Sequence, residues 1–320
     1  MKVSIVIPNY NGSLFLENCM KAIDSQDYDD YDIIVVDDAS TDEGTESIVS
    51  SFPKARLIKH EENKGFAASV NDGIKASDSK YVFLLNNDAY LDEGCLKVLV
   101  DSMENDAASS DIFSIQCKMI SAKNRALIDS AGDFYNIFGY ARSRGKDKLT
   151  DSYEKPTPIF SACAGAALYR RDVLLEIGLF DESHFAYLED VDIGYRAKLF
   201  GYTNKYEPLA RVFHEGSATS GSRYNEFKCR LAARNSVLVR YKNQTPFQKV
   251  VNFIPMEFGV MVKRIYFAKK GLGSAYKDGI KEGRRMIKDP AFSEKKVVFD
   301  KEKRKRARRI EWELIKNIIY

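Results

Sequence analysis

Cysteine and histidine are scarce in this 320-residue chain, which has five of the former and three of the latter. The cysteines lie far apart without a CxxC pair, which argues against a zinc site and against a disulfide framework. No GxGxxG follows the first apolar run, so a dinucleotide-dependent dehydrogenase is not indicated. That first run is too short for a signal-peptide core, and no later run has the roughly 18 apolar residues of a membrane-spanning helix. We therefore expect a protein of the reducing cytoplasm.

The small net charge of +3 hides an uneven distribution of charge along the chain. Residues 241–320 contain 21 Lys and Arg but only nine Asp and Glu, so the rest of the chain is acidic. This asymmetry suggests that residues 1–240 bind cations and that the basic C-terminal region binds anions.

Short apolar runs alternate with helical spacing through the first hundred residues. Strands are predicted at 3–7, 33–36, 55–59 and 81–85, and helices at 14–25, 43–52, 66–76 and 91–103. This alternation predicts an α/β fold with a mostly parallel central sheet flanked by helices. The polar segments PNYNG, DDAS and NNDA fall at the carboxyl ends of three strands, where such sheets place their sites.

The pattern is less regular after about residue 110. Strands are predicted at 112–119, 160–169 and 205–213, and helices at 173–178 and 190–200. From Glu226 onward the chain is predicted to be mostly helical.

Six segments combine into one ordered pattern: IPNYNG (7–12), VVDDAS (35–40), ENKGFAASVNDGI (62–74), LLNNDA (84–89), FAYLEDVDIGYRAKLFGY (185–202) and HEGS (214–217). In this order they resemble the family 2 glycosyltransferases of the GT-A fold, especially the branch of rhamnosyltransferases and other polysaccharide-building enzymes. The resemblance covers about residues 1–240. It implies a nucleotide-diphospho-sugar transferase fold with a nucleotide-binding half at 1–110 and an acceptor half at 111–240. Residues 241–320 would then form a basic helical C-terminal region.

A sugar nucleotide presents a flat base that needs a stacking surface and a reader for its polar edge. Tyr10 follows the first strand and can stack, and Asp38 follows the second and can accept the imino N–H of uracil or thymine. The resemblance uses matching positions for these tasks and adds Pro8 and Asn11 to the donor site. The alternative is that Tyr10 and Asp38 are ordinary turn residues.

Donor phosphate binding is expected at the segment Asn63-Lys64-Gly65-Phe66, which comes just before a predicted helix. The free N–H groups of a helix N-terminus favour an anion, and the lysine could neutralise phosphate charge. The resembling family carries NxGF here. An ordinary loop with a surface lysine is the alternative.

The segment Asn86-Asn87-Asp88 ends the fourth predicted strand. A departing diphosphate needs an electrophile, and a carboxylate-held divalent cation can supply it. The resemblance implies that Asp88 binds this cation and that Asn86 and Asn87 belong to the donor site, although an amide replaces the first acid of the usual Asp-x-Asp. His214 would be the second protein ligand. Imidazole with carboxylate and phosphate oxygen suits Mn²⁺ or Mg²⁺.

The acids Glu189, Asp190 and Asp192 open a predicted helix, where acids also act as simple caps. By resemblance Asp190 is the catalytic base and Glu189 orients the acceptor. Arg196, four residues after Asp192, is expected to pair with it. Gly165 and Ala166 could form a floor against which the sugar sits, although small residues there suit plain strand packing slightly better.

The basic C-terminal region has two open interpretations. Residues 253–262, followed by several basic residues, could form an amphipathic segment at a membrane surface, where each Lys or Arg contributes about 1 kcal/mol. The region could instead be a helical subdomain or an arm between copies in a homo-oligomer. Nucleic-acid binding is not expected, because no stacking aromatics accompany the basic run at 301–309.

The pattern as a whole predicts an inverting, metal-dependent glycosyltransferase of cell-surface polysaccharide synthesis. Its donor would be a UDP- or dTDP-sugar, and its acceptor a glycan or polyprenyl-linked sugar at the inner face of the plasma membrane. Two alternatives stay open at this point, a sugar-1-phosphate nucleotidyltransferase and a non-catalytic nucleotide-sugar-binding module of the same fold. The sugar and the linkage are not specified by the sequence.

Overall fold

Strands and helices alternate through the first hundred residues of the computed structural model, which describes residues 1–105, 109–216 and 224–319. The strands are β1 (Val3–Asn9), β2 (Tyr31–Asp37), β3 (Ala55–Lys59), β4 (Tyr81–Leu85), β5 (Ala89–Leu91), β6 (Ile112–Ser121), β7 (Ile128–Ser130), β8 (Asp133–Tyr135), β9 (Ala141–Ser143), β10 (Thr157–Ile159), β11 (Ala166–Arg170) and β12 (Thr203–His214). The helices are α1 (Ser13–Asp24), α2 (Thr45–Ser50), α3 (Phe66–Ala76), α4 (Cys95–Asn105), α5 (Arg171–Ile177), α6 (Glu189–Phe200), α7 (Glu226–Asn243), α8 (Pro246–Val251), α9 (Phe253–Lys269), α10 (Gly273–Met286), α11 (Pro290–Ser293) and α12 (Lys301–Lys316).

The main sheet has the strand order β10-β12-β6-β11-β4-β1-β2-β3, with β5 added to β12 and β7 added to β6. The strands β3, β2, β1 and β4 are parallel, as the alternating pattern predicts. Beyond them the sheet is mixed, because β11 runs antiparallel to both β4 and β6. The carboxyl ends of β1, β2 and β4 therefore meet at one edge, which also receives the end of β12.

Both faces of the sheet are buried, which explains why β1 is apolar at successive residues 5–7. Ile5 and Ile7 pack with α1 and α4 on one face, while Val6 packs with α3 and α6 on the other. The sheet thus lies between two helical layers.

Two of the sequence-based boundaries that differ from the structure lie next to predicted site residues. The helix predicted at 91–103 begins at Cys95, because Leu91 belongs to β5 and pairs with Val212 of β12. The strand predicted at 160–169 begins only at Ala166, and before it Ser161 forms an isolated bridge with Asp133 and residues 164–165 form a turn. Both departures shape the site described below.

The C-terminal helices pack on the sheet domain rather than extending away from it. Helix α10 lies against α7, where a Cβ at Gly279 would come within 2.2 Å of the Arg230 carbonyl oxygen. Helix α12 buries Ile310 and Leu314 against α6, which stabilises the contact by roughly 1.5–3 kcal/mol for each side chain. The predicted domain boundary at residue 240 falls within the last turn of α7. Within the described ranges, no helix has the length and apolar character to cross a bilayer.

Candidate active site

The carboxyl ends of β1, β2 and β4 are joined by buried amide side chains. Asn9 Nδ2 donates to Asp37 Oδ1 at 3.0 Å and to Thr45 Oγ1 at 3.1 Å, and Asn87 Nδ2 donates to Asn9 Oδ1 at 2.7 Å. Gly12 lies against this cluster, and a Cβ there would stand 1.8 Å from Asn87 Nδ2. The side-chain nitrogen of Asn87, a predicted donor-site residue, is therefore used to hold the strand ends together.

The loop after β1 carries the predicted base-stacking residue. Asn11 has a positive φ of 49°, and its Oδ1 accepts from the Thr41 amide at 2.7 Å, which ties this loop to the one after β2. Tyr10 is 39 % exposed at the rim of the edge, and Pro8 is half-buried at the end of β1 beside Val36. Tyr10 therefore presents ring surface to solvent where a base could stack.

Asp38 is buried and fixes the loop before α3. Its two carboxylate oxygens accept from the backbone amides of Lys64 and Gly65, each at 2.8 Å, and Oδ1 also lies 2.7 Å from His60 Nδ1. The sequence pattern assigned Asp38 to the base and gave His60 no role. The structure adds a loop-holding role for both residues.

The expected anion site at the start of α3 needs correction. The amides of Lys64 and Gly65 donate to Asp38, and the amide of Ala67 donates to the carbonyl oxygen of Phe185 at 3.1 Å. Asn63 Oδ1 accepts from the Gly65 amide while the residue stays exposed, and Phe66 packs partly against the core. The Lys64 side chain is exposed. Donor-phosphate binding by these three side chains stays a prediction.

The predicted metal ligands Asp88 and His214 lie next to each other. Strand β5 pairs antiparallel with β12 and sets Ala89 opposite His214, so the turn that carries Asp88 comes to the end of β12. His214 Nε2 lies 3.2 Å from Asp88 Oδ1 and 3.4 Å from Asn86 Nδ2. Ser217, the last residue of the HEGS segment, is outside the described residues.

Asp129 of β7 orients the His214 ring and was missed by the sequence pattern. His214 Nδ1 lies 2.9 Å from Asp129 Oδ2, and Asp129 also binds Lys146. Burial lowers the pKa of His214, but hydrogen bonds with Asp129 and Asp88 outweigh it and raise the pKa to about 9. With Nδ1 engaged by Asp129, Nε2 is the ring atom that faces Asp88.

This donor set fits a hard or borderline divalent cation. Asp88 offers carboxylate oxygen, His214 offers imidazole nitrogen, and Asn86 adds an amide group within 3.4 Å of the ring. A carboxylate on the far nitrogen of a ligating histidine is a common feature of metal sites, because it fixes the tautomer and raises the basicity of the ligand. Asp129 supplies that carboxylate.

The segment before α6 is strained and delivers the predicted base. Phe185, Tyr187 and Leu188 all have positive φ, an unusual conformation for residues with side chains. Asn235 of α7 holds them in place, since its Nδ2 lies 2.7–2.9 Å from the carbonyl oxygens of His184, Ala186 and Tyr187. The two N–H groups of this amide satisfy two of these carbonyls at a time.

Asp190 is tuned by burial. Burial raises its pKa, backbone amides of Val191 and Ala164 oppose this rise, and the result is a pKa of about 6. Oxygen atoms of Asp190 and Asp133 and the sulfur of Cys163 all lie within 4.8 Å of one another. Burial, then the charges of Asp190 and Glu189, raise the pKa of Asp133 well above its usual range. Burial therefore favours the neutral form of Asp133 more strongly than that of Asp190, whose pKa of about 6 leaves it ionised at neutral pH.

Burial favours the neutral form of Glu189. Its side chain is buried, and Oε2 has no hydrogen-bond partner among the described residues. Burial and the neighbouring Asp190 charge raise its pKa well above the ordinary value. A protonated carboxyl group without a partner can donate a hydrogen bond to an incoming hydroxyl group.

Residues 161–165 connect the two halves of the site. The Ala164 amide stabilises the charged form of Asp190, and a Cβ at Gly165 would lie 3.0 Å from Asn86 Nδ2. Gly165 thus lies beside the predicted metal motif, and its role as a floor for the sugar stays a prediction. Ala166 does not fit that prediction, because its side chain is fully buried in the core of β11.

Two arginines near α6 and α7 are held by specific contacts. Arg196 pairs with Asp192 at 2.9 Å, as its spacing predicted, within a buried cluster that includes Lys242. Arg234 donates to the carbonyl oxygens of Ser183 and His184. It therefore supports the strained segment.

Comparison with known proteins identifies the family. The sequence model described as "Glycosyl transferase family 2" matches residues 4–178, more than half of the chain. The chain belongs to glycosyl transferase family 2. The predicted family and the predicted class of enzyme, a glycosyltransferase, are thereby confirmed.

Two curated relatives of this glycosyltransferase have names that describe sugar transfer to lipid-linked acceptors. The GalNAc(5)-diNAcBac-PP-undecaprenol β-1,3-glucosyltransferase of Campylobacter jejuni is 25% identical over 71% of this chain and 70% of its own length. The N-acetylglucosaminyl-diphospho-decaprenol L-rhamnosyltransferase of Mycobacterium tuberculosis is 23% identical over 68% of this chain and 77% of its own.

A solved structure supports the fold. The crystal structure of GalNAc-T7 with UDP, GalNAc and Mn²⁺ superposes with a TM-score of 0.58 at 16% identity, over 74% of this chain and 48% of that protein. This chain therefore spans about half of that enzyme. The expected GT-A fold is confirmed by this likeness.

Proposed function

We propose that this glycosyltransferase moves a sugar from a UDP- or dTDP-sugar to a hydroxyl group of a growing glycan or lipid-linked sugar, with inversion at the anomeric carbon. One observation carries the proposal. A candidate cation site, in which His214 Nε2 lies 3.2 Å from Asp88 Oδ1, is linked through residues 161–165 to an ionised carboxylate at Asp190.

The residues of the acceptor side define the chemical step. Asp190 accepts the proton of the acceptor hydroxyl, and the oxygen atom attacks the anomeric carbon as the bond to the nucleoside diphosphate breaks. Attack from the face opposite the leaving group inverts the configuration. In its protonated form, which burial favours, Glu189 would hold the hydroxyl by donating a hydrogen bond, so that the hydroxyl proton faces Asp190.

The residues of the donor side hold the leaving group. Asp88 and His214 would bind a divalent cation, Mn²⁺ or Mg²⁺, which supplies Lewis-acid stabilisation of the departing diphosphate when bound. Asn86 lies close enough to His214 to contact the same ion or the ribose. Tyr10 stacks on the base, Asp38 and Asn11 position the surrounding loops, and Lys64 offers positive charge to phosphate.

The acceptor class rests on the relatives. The names of the two curated enzymes specify acceptors carried on undecaprenyl or decaprenyl diphosphate. A comparable acceptor would place this enzyme at the cytoplasmic face of the plasma membrane.

Product analysis tests this function. The protein would be incubated with UDP-glucose, UDP-N-acetylglucosamine or dTDP-rhamnose, with and without Mn²⁺, and with Asp190→Asn as the control variant. We expect slow Mn²⁺-dependent release of nucleoside diphosphate from at least one donor, and much slower release by the variant. Release of pyrophosphate from a sugar 1-phosphate and a nucleoside triphosphate would indicate a nucleotidyltransferase. Donor binding without any release would indicate a binding module.

A further inference from the structure

Helices α8 and α9 expose an apolar stripe that the glycosyl-transfer site does not use. Only Asn252 separates the two helices, and it has a right-handed helical conformation, so α8 and α9 are nearly continuous. The side chains that form the stripe recur at intervals of three or four residues and are all exposed: Phe247, Val250, Ile254, Phe258, Met261 and Ile265. This spacing puts them on one face of the helix.

The opposite face of α9 is attached to the body of the protein. Met256 is buried, and Gly259 lies so close to the β8–β9 turn that a Cβ would be 2.3 Å from the carbonyl oxygen of Phe138. Tyr140 donates to the Gly259 carbonyl oxygen at 2.6 Å. The packed face of α9 fixes the helix on the protein body, and the stripe lies on its solvent-exposed face.

Positive charge accompanies the stripe. Residues 246–270 contain five basic side chains and a single acid, Glu257. Arg284 neutralises that acid at 2.6 Å, and Arg240 lies 3.6 Å from it. Lys249 and Lys263 lie over the rings of Tyr241 and Tyr140, whereas the other three basic residues are exposed. The surface thus combines an apolar stripe with exposed basic groups, the combination that binds the headgroup region of anionic membranes.

Self-association through this face is disfavoured by the same charges. A two-fold interface places identical patches against each other, so the exposed Arg264 and Lys269 of two copies would come close to like charges. An anionic lipid surface instead buries the apolar side chains among acyl chains and pairs the basic side chains with negatively charged headgroups.

The stripe also leads toward the candidate active site. Its C-terminal end contacts the start of α7, where Tyr266 Oη lies 3.1 Å from Tyr224 Oη. Phe227, in the first turn of α7, packs edge-on against Phe185 of the strained segment that precedes Asp190. A membrane under α8 and α9 would therefore lie near the acceptor side of the site.

We propose that the α8–α9 stripe binds the surface of an anionic membrane and turns the acceptor side of the site toward lipid-linked sugars. Only the second part rests on the proposed function. Membrane binding itself rests on exposure, spacing and charge.

Vesicle sedimentation tests the proposal with the full chain. The probes are vesicles of pure phosphatidylcholine and vesicles with 30% phosphatidylglycerol, and the test variant is Ile254→Glu with Phe258→Glu. The matched control is Leu175→Glu with Leu209→Glu, which adds the same charge at exposed apolar positions elsewhere. We expect the wild type and the control to bind the anionic vesicles, and the stripe variant to bind at least about tenfold more weakly. Binding should also weaken at high salt, which screens the basic groups.

Two measurements separate the possible failures. Equal vesicle binding by the stripe variant and the wild type would overturn the proposal. The proposal would also be overturned if the wild type were a dimer in sedimentation velocity, the stripe variant were a monomer, and both bound vesicles equally well. Release of nucleoside diphosphate without lipid reports folding of the variants. Its absence from the wild type would contradict the proposed function and leave the vesicle result unaffected.

Discussion

Asp190→Asn should stabilise the folded protein while it abolishes turnover. The pKa of Asp190 rises from 3.8 to about 6 because the carboxyl group is buried. Each tenfold change in ionisation corresponds to about 1.36 kcal/mol, so ionised Asp190 costs the native state about 3 kcal/mol. The unfolded chain loses this proton at lower pH than the folded chain. The cost is therefore absent below about pH 4 and complete above about pH 7.

An asparagine side chain carries no charge at any pH and avoids this cost. In urea unfolding we expect the free energy of unfolding of the variant to exceed that of the wild type by up to about 3 kcal/mol at pH 8. At pH 4 the difference should be small. Without the base, turnover should fall by about 10²-fold or more. Wild-type kcat/KM should decline tenfold per pH unit below about pH 6.

Asp192→Asn is a control of opposite sign two residues away. Burial opposes ionisation of Asp192, but Lys242 and Arg196 outweigh it and lower its pKa to about 2. Its stabilising effect is present above the unfolded pKa of 3.8 and is lost as pH falls toward 2, so this substitution should destabilise the protein at pH 8. If Asp190→Asn also destabilised the protein, or turned over normally, the assignment of a buried base would be refuted.

Three further predictions concern the supports of the site. Asp129→Asn should weaken Mn²⁺ binding by about 10- to 100-fold in calorimetry while the fold is kept, because the His214 ring loses its orienting carboxylate; unchanged affinity would contradict this role. Asn235→Ala should lower the free energy of unfolding by about 1–3 kcal/mol and reduce kcat, since buried carbonyl groups lose their donor; a loss of stability with unchanged kcat would argue against a positioning role. Gly65→Ala should destabilise the protein by at least about 1 kcal/mol in thermal unfolding, because φ is +87° and the new Cβ would lie 2.5 Å from the Phe185 ring. A neutral result would mean that this loop adapts.

Local patterns were sufficient to predict the first half of the fold. The continuous apolar runs of β1, β2 and β4 indicate parallel strands buried on both faces, and polar residues at their ends mark the edge that carries the site. The order of the motifs then identified Asp88 and His214 as a pair, although 126 residues separate them in the chain. The structure brings them together through the pairing of β5 with β12.

Residues that act only through distant partners could not be predicted in this way. Asp129 and Asp133 sit in short strands with no distinctive spacing, and their partners lie on β12 and α6. Asn235 reads as an ordinary polar position of α7, yet it holds carbonyl groups about 50 residues earlier. The positive φ angles of Phe185, Tyr187 and Leu188 are likewise imposed by tertiary contacts, and no local sequence signal predicts them.

The amides before α3 show the opposite error. A lysine and a glycine ahead of a helix suggest free N–H groups for phosphate, which is a sound local inference. The structure satisfies those groups with Asp38, a carboxylate from the neighbouring strand end. Local chemistry therefore identified the right kind of ligand, an anion, but not its source.

The central claim is that Asp88 and His214 together bind a divalent cation in the donor site. Titration of Mn²⁺ in the presence of UDP, followed by electron paramagnetic resonance, tests it most directly. We expect one bound Mn²⁺ per wild-type chain and per Glu93→Gln control, which changes an exposed acid nearby. Asp88→Asn and His214→Gln should each weaken binding by about tenfold or more. Wild-type affinity in both of these variants would contradict the claim.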